Sequence, residues 1–419
     1  MDKINKWQQQ SSFSSNAQLL IEAAREKQIP VLKVDPEYDL FQLGQGKYSL
    51  LFRGLVAENS ASILAGCNSS VMINKLLTAL SFGPQNKLVD KSKENYKILI
   101  VDKQIKAALK ISGSLKRDVL GQLNEQTKNL IIKLSELYNL TIAEIDLSSV
   151  DITVPVLQSG EITAININPP LNEYQEVVNV KEILYQLIDH YALGRIPIIS
   201  VIGSTNQIVV KIIDKILNKI EVSTGVVINN VIHSYNFVTT HNSGGVKTIL
   251  QDKEIEVLVH GIKPKELKES GLPYDNSSLL LVTDLKQREQ LIRAQLNPKS
   301  IVLGIDKEFD PQIMRQCSEE KIIYCSLNYE NLILQRQLQS KQPAVYTTDN
   351  NLVLFDGRDQ LPVIALNRLI KVARNDSNIM LGILFAVAAA FMLDIPVFVT
   401  RSVLENLMGE EILDIAKNQ

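Results

Sequence analysis

The sequence predicts an α/β protein, an α+β module followed by a parallel α/β domain. Three observations predict it. From residue 196 on, short apolar runs at Ile196–Ile202, Glu256–Val259, Leu279–Thr283, Ser300–Leu303 and Lys321–Cys325 alternate with helical runs. Short apolar strands between helices mark a parallel sheet covered on both faces. Ile208 to Ile220 carries apolar residues at 208, 209, 212, 213, 216, 217 and 220, which is helical spacing. Upstream, Lys97–Val101 and Lys106–Ile111 read as a hairpin around Asp102, followed by a helix from Gln122 to Tyr138.

The elements follow in order. Asn16–Gln28 is rich in Ala, Leu, Glu and Arg and reads as a helix; Ile29–Val34 follows as a strand. Asp35, Pro36 and Gly44–Gly46 mark turns. Ser70–Leu80 reads as helical and Gly83–Glu94 as a loop. After the hairpin and its helix, Thr141–Leu147, Ile152–Leu157 and Glu161–Asn168 read as strands, with Gly160 in the turn between the last two. A helix at Val180–Tyr191 leads into the alternating region. The apolar stretch Ile379–Leu393 falls short of the roughly 20 residues that span a bilayer, and it reads as a buried helix capped from Asn375–Asn378.

Composition narrows the function. At 419 residues and about 150 per domain, two or three domains are expected. Apolar residues make up 45% of the chain, enough for sizeable cores, and the net charge of −2 lacks the footprint of a nucleic-acid or anionic-membrane binder. Cys67, Cys317 and Cys325 are too few and scattered for a disulfide framework, which suits a reducing cytoplasm. The polar N-terminus has no apolar signal core. No Cys/His pair has metal spacing; His190, His233, His241 and His260 stand apart. Ser243 with Gly244 and Gly245 lacks the flanks of a nucleophile elbow and reads as a loop. Lys263–Lys268 reads as a solvated face, and Cys317 and Cys325 as inert thiols.

The most informative segment is Ile196–Lys211, IPIISVIGSTNQIVVK, with the outline of a strand, a glycine turn and a helix start. A phosphate loop at such a turn needs glycine for backbone approach, lysine for the β/γ-phosphates and Ser/Thr for magnesium. Gly203 is present, but Gln207 and Ile208 stand at the lysine and hydroxyl positions. Backbone N–H groups at Gly203, Ser204, Thr205 and Asn206 remain as a relict phosphate loop, since a helix N-terminus attracts anions by itself.

The order of segments resembles cyanophycin synthetase, a family that joins an ATP-grasp module to a Mur-ligase-like module and makes an aspartate–arginine polymer. Leu40–Tyr48 (LFQLGQGKY) is similar to the family's QLG-G stretch, and Tyr96–Ile111 to its Y-R-V-L-V-V hairpin. Glu58–Ser62 and Asn74–Leu77 resemble its T-S and K-x-L-L segments. Asp146 and Gly160–Pro169 resemble its G-I-D and G-x-I-x-E-V-N-x-x-P elements, and Arg195–Lys211 its R-I-P-I-x-x-V-T-G-T-N-G-K-T-T. Ser270–Asp275, Ile322–Asn328 and the alanine-rich helix after Asn378 also fit. The resemblance implies a reduced ATP-grasp-like α+β module followed by a Mur-ligase-like parallel domain. It divides the chain into an ATP-grasp-derived segment (1–95), a C-lobe-like part (96–178), a linker helix (179–195) and a Mur-central-domain-like part (196–419).

The departures carry the functional expectation. Ala164 stands where the acidic metal ligand of the E-V-N stretch belongs; Asp146 and Asn166 remain, either as a relict metal site or as an ordinary strand-end and turn pair. The glycine-rich nucleotide-covering segment expected between Leu80 and Tyr96 is missing. His260 and Gly261 occupy the region of the Mur-like metal glutamate, TDLKQREQL replaces D-D-H-L-G, and Asp306 has lost its partners. The resemblance finds no match here for a third Mur domain or for the family's separate N-terminal domain, and both are expected to be missing. The expectation is a non-catalytic, cytoplasmic protein without cofactors that forms a homo-oligomer, or a hetero-oligomer with an active synthetase homologue. The alternative is a diverged ATP-dependent amide ligase using ATP and Mg²⁺, with Lys75, Lys106 and Lys211 as basic candidates. A third reading is a module that binds peptide or polymer.

Overall fold

The computed structural model describes residues 13–60, 92–228, 231–234, 237–240, 245–262, 272, 274–283, 298–306, 321–369 and 374–407. The expected helix at Ser70–Leu80 and all of the expected loop before residue 92 lie outside them. Two units form: Met1–Gly44 with Tyr48–Arg195, and Gln45–Lys47 with Ile196–Gln419.

In the first unit, helix α1 (Ser15–Glu26) starts at Ser14, whose side chain accepts from Ala17 N at 3.3 Å. Strands β1 (Val31–Asp35), β2 (Leu40–Leu43), β3 (Leu50–Arg53) and β4 (Val56–Ala57) form an antiparallel sheet in that order. Only the first was expected. Strands β5 (Glu94–Val101), β6 (Gln104–Ser112) and β7 (Leu115–Asp118), helix α2 (Glu125–Leu137), strand β8 (Ile142–Ser149), helix α3 (Val156–Ser159), strand β9 (Gly160–Asn166) and helix α4 (Val180–His190) follow. The second sheet runs β7-β6-β5-β8-β9, antiparallel throughout.

Strand alternation divides that sheet between two cores. Ile98, Ile100, Ala143 and Ile145 pack with Leu130, Ile131 and Leu134 of α2. Leu99, Val101, Leu109 and Ile142 share a core with Leu20 of α1, Leu187 of α4, and Leu171 and Tyr174 of a short 3₁₀ turn, Leu171–Tyr174. Ile152–Leu157 is not the expected strand. Asp151 Oδ1 accepts from Thr153 N at 2.9 Å and Thr153 Oγ1 at 2.7 Å, and Pro155 caps α3. An aspartate-centred turn followed by proline overrides the apolar run. Gly160 opens β9 opposite Ser149 instead of forming a turn. A Cβ there would lie 1.9 Å from Ser148 O, so close backbone approach requires the glycine.

The second unit is built on β10 (Ile198–Ile202), α5 (Asn206–Lys219), β11 (Thr224–Ile228), β12 (Val231–Ser234), β13 (Phe237–Thr240), α6 (Gly245–Gln251), β14 (Val257–Ile262), β15 (Leu279–Val282), β16 (Ser300–Gly304), β17 (Lys321–Ser326), α7 (Leu332–Gln339), β18 (Ala344–Thr347), β19 (Asn351–Phe355), β20 (Gln360–Ala365), α8 (Ser377–Met392) and α9 (Val397–Glu405). Its 11-stranded sheet runs β13-β12-β11-β14-β10-β15-β16-β17-β18-β19-β20. Strands from β11 to β18 in this order are parallel, and an antiparallel hairpin extends each side.

Ile199, Val201, Val259, Leu281 and Val302 face α5 and α8; Ile198, Ile202, Leu258 and Leu280 face the core that holds Ile249 of α6 and Leu334 of α7. In α8 every residue from Ile379 to Ala390 is buried, with Asp376 Oδ1 accepting from Asn378 N at 2.8 Å as its cap. Each such Leu, Ile or Phe contributes about 1.5–3 kcal/mol. The apolar run is therefore a core helix, and among the described residues no helix is long and apolar enough to cross a membrane.

Candidate functional site

In the second unit, β11 and β14 lie on one side of β10 and β15 to β18 on the other. Such a reversal opens a crevice beyond the carboxyl ends of the strands. The turn Gly203–Thr205 lies there, between β10 and α5. Gly203 has φ +123°, a conformation that favours glycine. Asn206 Nδ2 donates to Ile262 O at 3.2 Å and ties the helix start to the end of β14. Thr205 is buried, gives no side-chain cap, and its Oγ1 has no partner. Ser204 is exposed. The first-turn N–H groups of α5 are free of intrahelical acceptors and carry the positive end of the helix dipole.

Among the described residues of this turn and of the first turn of α5, no side chain carries a positive charge. Gln207 is half-buried; Ile208 is 1% exposed and packed under Gly382 of α8, where a Cβ would come within 2.7 Å of its Cγ2. Lys211 is exposed, farther along α5. Gln207 and Ile208 thus offer neither an ammonium nor a hydroxyl, the two groups that a magnesium–triphosphate complex would take at those positions.

His260 shares the face of Leu258 and Ile262, opposite the face that α5 covers. Its Nδ1 lies 2.8 Å from Tyr274 Oη, which lies 3.0 Å from Ser200 Oγ, and Ser277 Oγ donates to Ser200 Oγ at 2.9 Å. Burial pulls the imidazole down to about 3, so it is neutral. His260 is a buried member of a hydroxyl cluster. Asp306 Oδ2 accepts from Leu327 N at 2.6 Å and Oδ1 from Ser326 Oγ, which makes it a loop clamp. Burial pushes the Cys325 thiol well up. His190 pairs with Asp102 at 3.2 Å and His233 is exposed. His241, Cys67, Cys317, Ser243, Lys75, Lys263–Lys268 and Asp284 onward to residue 297 lie outside the described residues.

In the first unit, Asp146 and Asn166 lie on neighbouring strands but not opposite each other. The register sets Asp146 against Ala164, and Glu144 against Asn166. On its other side β8 sets Asp146 against Lys97. Lys97 Nζ donates to Glu144 Oε1 at 3.0 Å and stands 3.8 Å from Glu173 Oε2. Glu144 Oε2 accepts from Tyr174 Oη at 2.6 Å, and Lys116 Nζ pairs with Glu173 at 2.9 Å. Asn166 Oδ1 accepts from Asn168 N at 3.0 Å, closing a turn. Lys106 donates to Gln104 instead.

The electrostatics follow from this arrangement. Burial first, then the Glu144 charge, pushes the Asp146 carboxyl up to about 6, against the pull of Lys97. Burial lowers Lys97, but the bond to Glu144 and the charges of Glu144, Asp146 and Glu173 outweigh it and hold the ammonium above its usual range. Lys116 holds Glu173 low. Among the described residues no three His, Cys, Asp or Glu side chains converge as a metal would require. The Lys97 ammonium already pairs with Glu144 and stands near Glu173, so a divalent ion would meet a positive charge here. Lys97, Glu144, Glu173 and Tyr174 were not singled out from sequence. Stepping back two residues along β8 from Asp146 finds Glu144.

No protein-family model and no curated protein matches the chain. Among solved structures it is similar to a UDP-N-acetylmuramoyl-L-alanyl-D-glutamate–2,6-diaminopimelate ligase at 13% identity and TM-score 0.40, over 54% of this chain and 49% of that one. It is also similar to the ATP-grasp ligase PsnB bound to a phosphomimetic variant of its minimal precursor, Mg and ADP, at 14% identity and TM-score 0.20, over 23% of this chain and 32% of that one. PsnB with precursor peptide PsnA2 and AMPPNP gives 13% identity and TM-score 0.20, over 24% and 32%. The chain spans about half the length of the first and about a third of the others.

Proposed function

We propose that this chain is a non-catalytic relative of the cyanophycin synthetase type that acts through binding or assembly. The observation that carries this reading is the turn at Gly203–Asn206. It keeps the glycine and the helix start, while Gln207 supplies no charge and the core-packed Ile208 no metal oxygen. Loss of one preorganised electrostatic group costs on the order of 10²–10³ in rate. Here an ammonium is missing at one site and an acidic ligand, at Ala164, at the other. Under this reading the protein works in the cytoplasm without ATP or Mg²⁺, contacts neither nucleic acid nor membrane, and assembles with itself or with an active homologue. Residues 1–95, 96–178, 179–195 and 196–419 keep the roles that the resemblance gives them. Calorimetric titration with Mg·ATP tests it: no heat of binding is expected, and micromolar affinity refutes it.

A second reading, a diverged ATP-dependent amide ligase, draws on Asp146. This half-buried carboxyl has an unpartnered Oδ1 and a pKa near 6, and perturbed carboxyls cluster at functional sites. Amide formation from amino acids and ATP that vanishes in Asp146→Asn establishes it; its absence in wild type removes it.

A further inference from the structure

We propose that Lys97 is a built-in counter-cation that closes the carboxylate cluster of the first unit to divalent metal ions. A neutral side chain at this position opens a cation site on Glu144 and Asp146. The argument is geometric and does not rest on the reading of the Gly203 turn. Glu144, Asp146 and Glu173 each act electrostatically on Lys97, and Lys116 pairs with Glu173 at 2.9 Å. The Lys97 ammonium pairs with Glu144 and lies within electrostatic reach of Asp146. It is 3.0 Å from Glu144 Oε1, 3.8 Å from Glu173 Oε2, and on the residue directly opposite Asp146.

Glu144 makes that charge obligatory. Its side chain is 2% exposed, and burying a carboxylate at this depth is costly unless it is paired and hydrogen-bonded. One oxygen takes the ammonium and the other the Tyr174 hydroxyl, so the carboxylate is satisfied from inside the chain. A divalent ion entering here would compete with Lys97 for Glu144 and be repelled by it, twice as strongly as a unit charge. The salt network also joins four elements, β5, β7, β8 and the 171–174 turn, so Lys97 cannot swing away without giving up its pairing with Glu144 and its approach to Glu173.

Removing the charge changes the balance. Glu144 and Asp146, two residues apart on one strand face, would stand without a counter-cation beside the Asn166 side chain, the oxygen-rich set that hard cations select. Lys97 thus decides whether this cluster is a clasp or a cation site, and the native chain uses it as a clasp.

The test uses the full chain, with Mn²⁺ by calorimetry and Tb³⁺ by tyrosine-sensitised luminescence, for which Tyr174 is the adjacent donor. Wild type should give no Asp146-dependent binding up to millimolar ion. Lys97→Met should bind roughly tenfold or more tightly than wild type, and Lys97→Met with Asp146→Asn should lose that gain. Lys97→Met is expected to melt lower, and Mn²⁺ should raise its melting temperature but not that of wild type. The proposal fails if wild type binds either ion in a way that Asp146→Asn removes. It also fails if folded Lys97→Met gains no affinity, or if a destabilised Lys97→Met is not rescued by the ion.

Discussion

His260 makes the second unit acid-sensitive, and the size of the effect follows from its burial. The side chain is wholly buried and neutral, and its pKa falls from the ordinary 6.5 to about 3. In the unfolded chain the same imidazole takes up a proton below about 6.5. Between these values the unfolded state binds one proton more than the folded state, so stability falls as pH falls. The contribution of the neutral imidazole is complete above pH 6.5 and is lost progressively towards pH 3. The limiting slope is about 1.4 kcal/mol per pH unit, and between pH 7 and pH 5 the loss is about 2 kcal/mol. Asp214, raised by burial, titrates in the same unit with the opposite sign, so the raw profile is a sum. The decisive quantity is the difference between wild type and His260→Gln, which keeps a polar neighbour for Tyr274 without a titrating ring. Urea unfolding followed by hydrogen exchange of peptides within residues 198–262, at pH 7 and pH 5, measures it. Wild type should lose about 2 kcal/mol more than the variant over that interval. Parallel losses would refute the reasoning, because they would mean that His260 reaches a proton in the folded state.

Two further outcomes follow from packing and capping. Gly382→Ala places a Cβ 2.7 Å from Ile208 Cγ2 between two fully packed helices, and chemical denaturation should show a loss of about 1–3 kcal/mol. Asp376→Ala removes the side-chain acceptor for Asn378 N and Ile379 N at the start of α8; a loss of about 1 kcal/mol is expected, read as a lower urea midpoint at unchanged slope.

What the sequence revealed and concealed has a physical pattern. The helix at Asn206–Lys219 and the hairpin around Asp102 were legible because their burial is periodic and local. The outer strand β20 was not, and Pro362 within it argues against a central strand. At the sheet edge that objection disappears: the outward carbonyls of Pro362 and Val363 accept from Arg401 at 2.9 and 2.6 Å, so the edge is closed by a side chain instead of a strand. The same distinction governs the carboxylate cluster. Sequence pattern singles out Asp146 and Asn166 because they sit in a short motif. Glu144 is one alternation away on the same strand. Lys97 and Tyr174 arrive from 47 and 30 residues away from Glu144, brought in by the β5–β8 pairing and by the 3₁₀ turn. A motif names the residues able to hold a charge. Only the fold shows that an ammonium from a neighbouring strand already holds it, and that partner decides the chemistry open to Asp146.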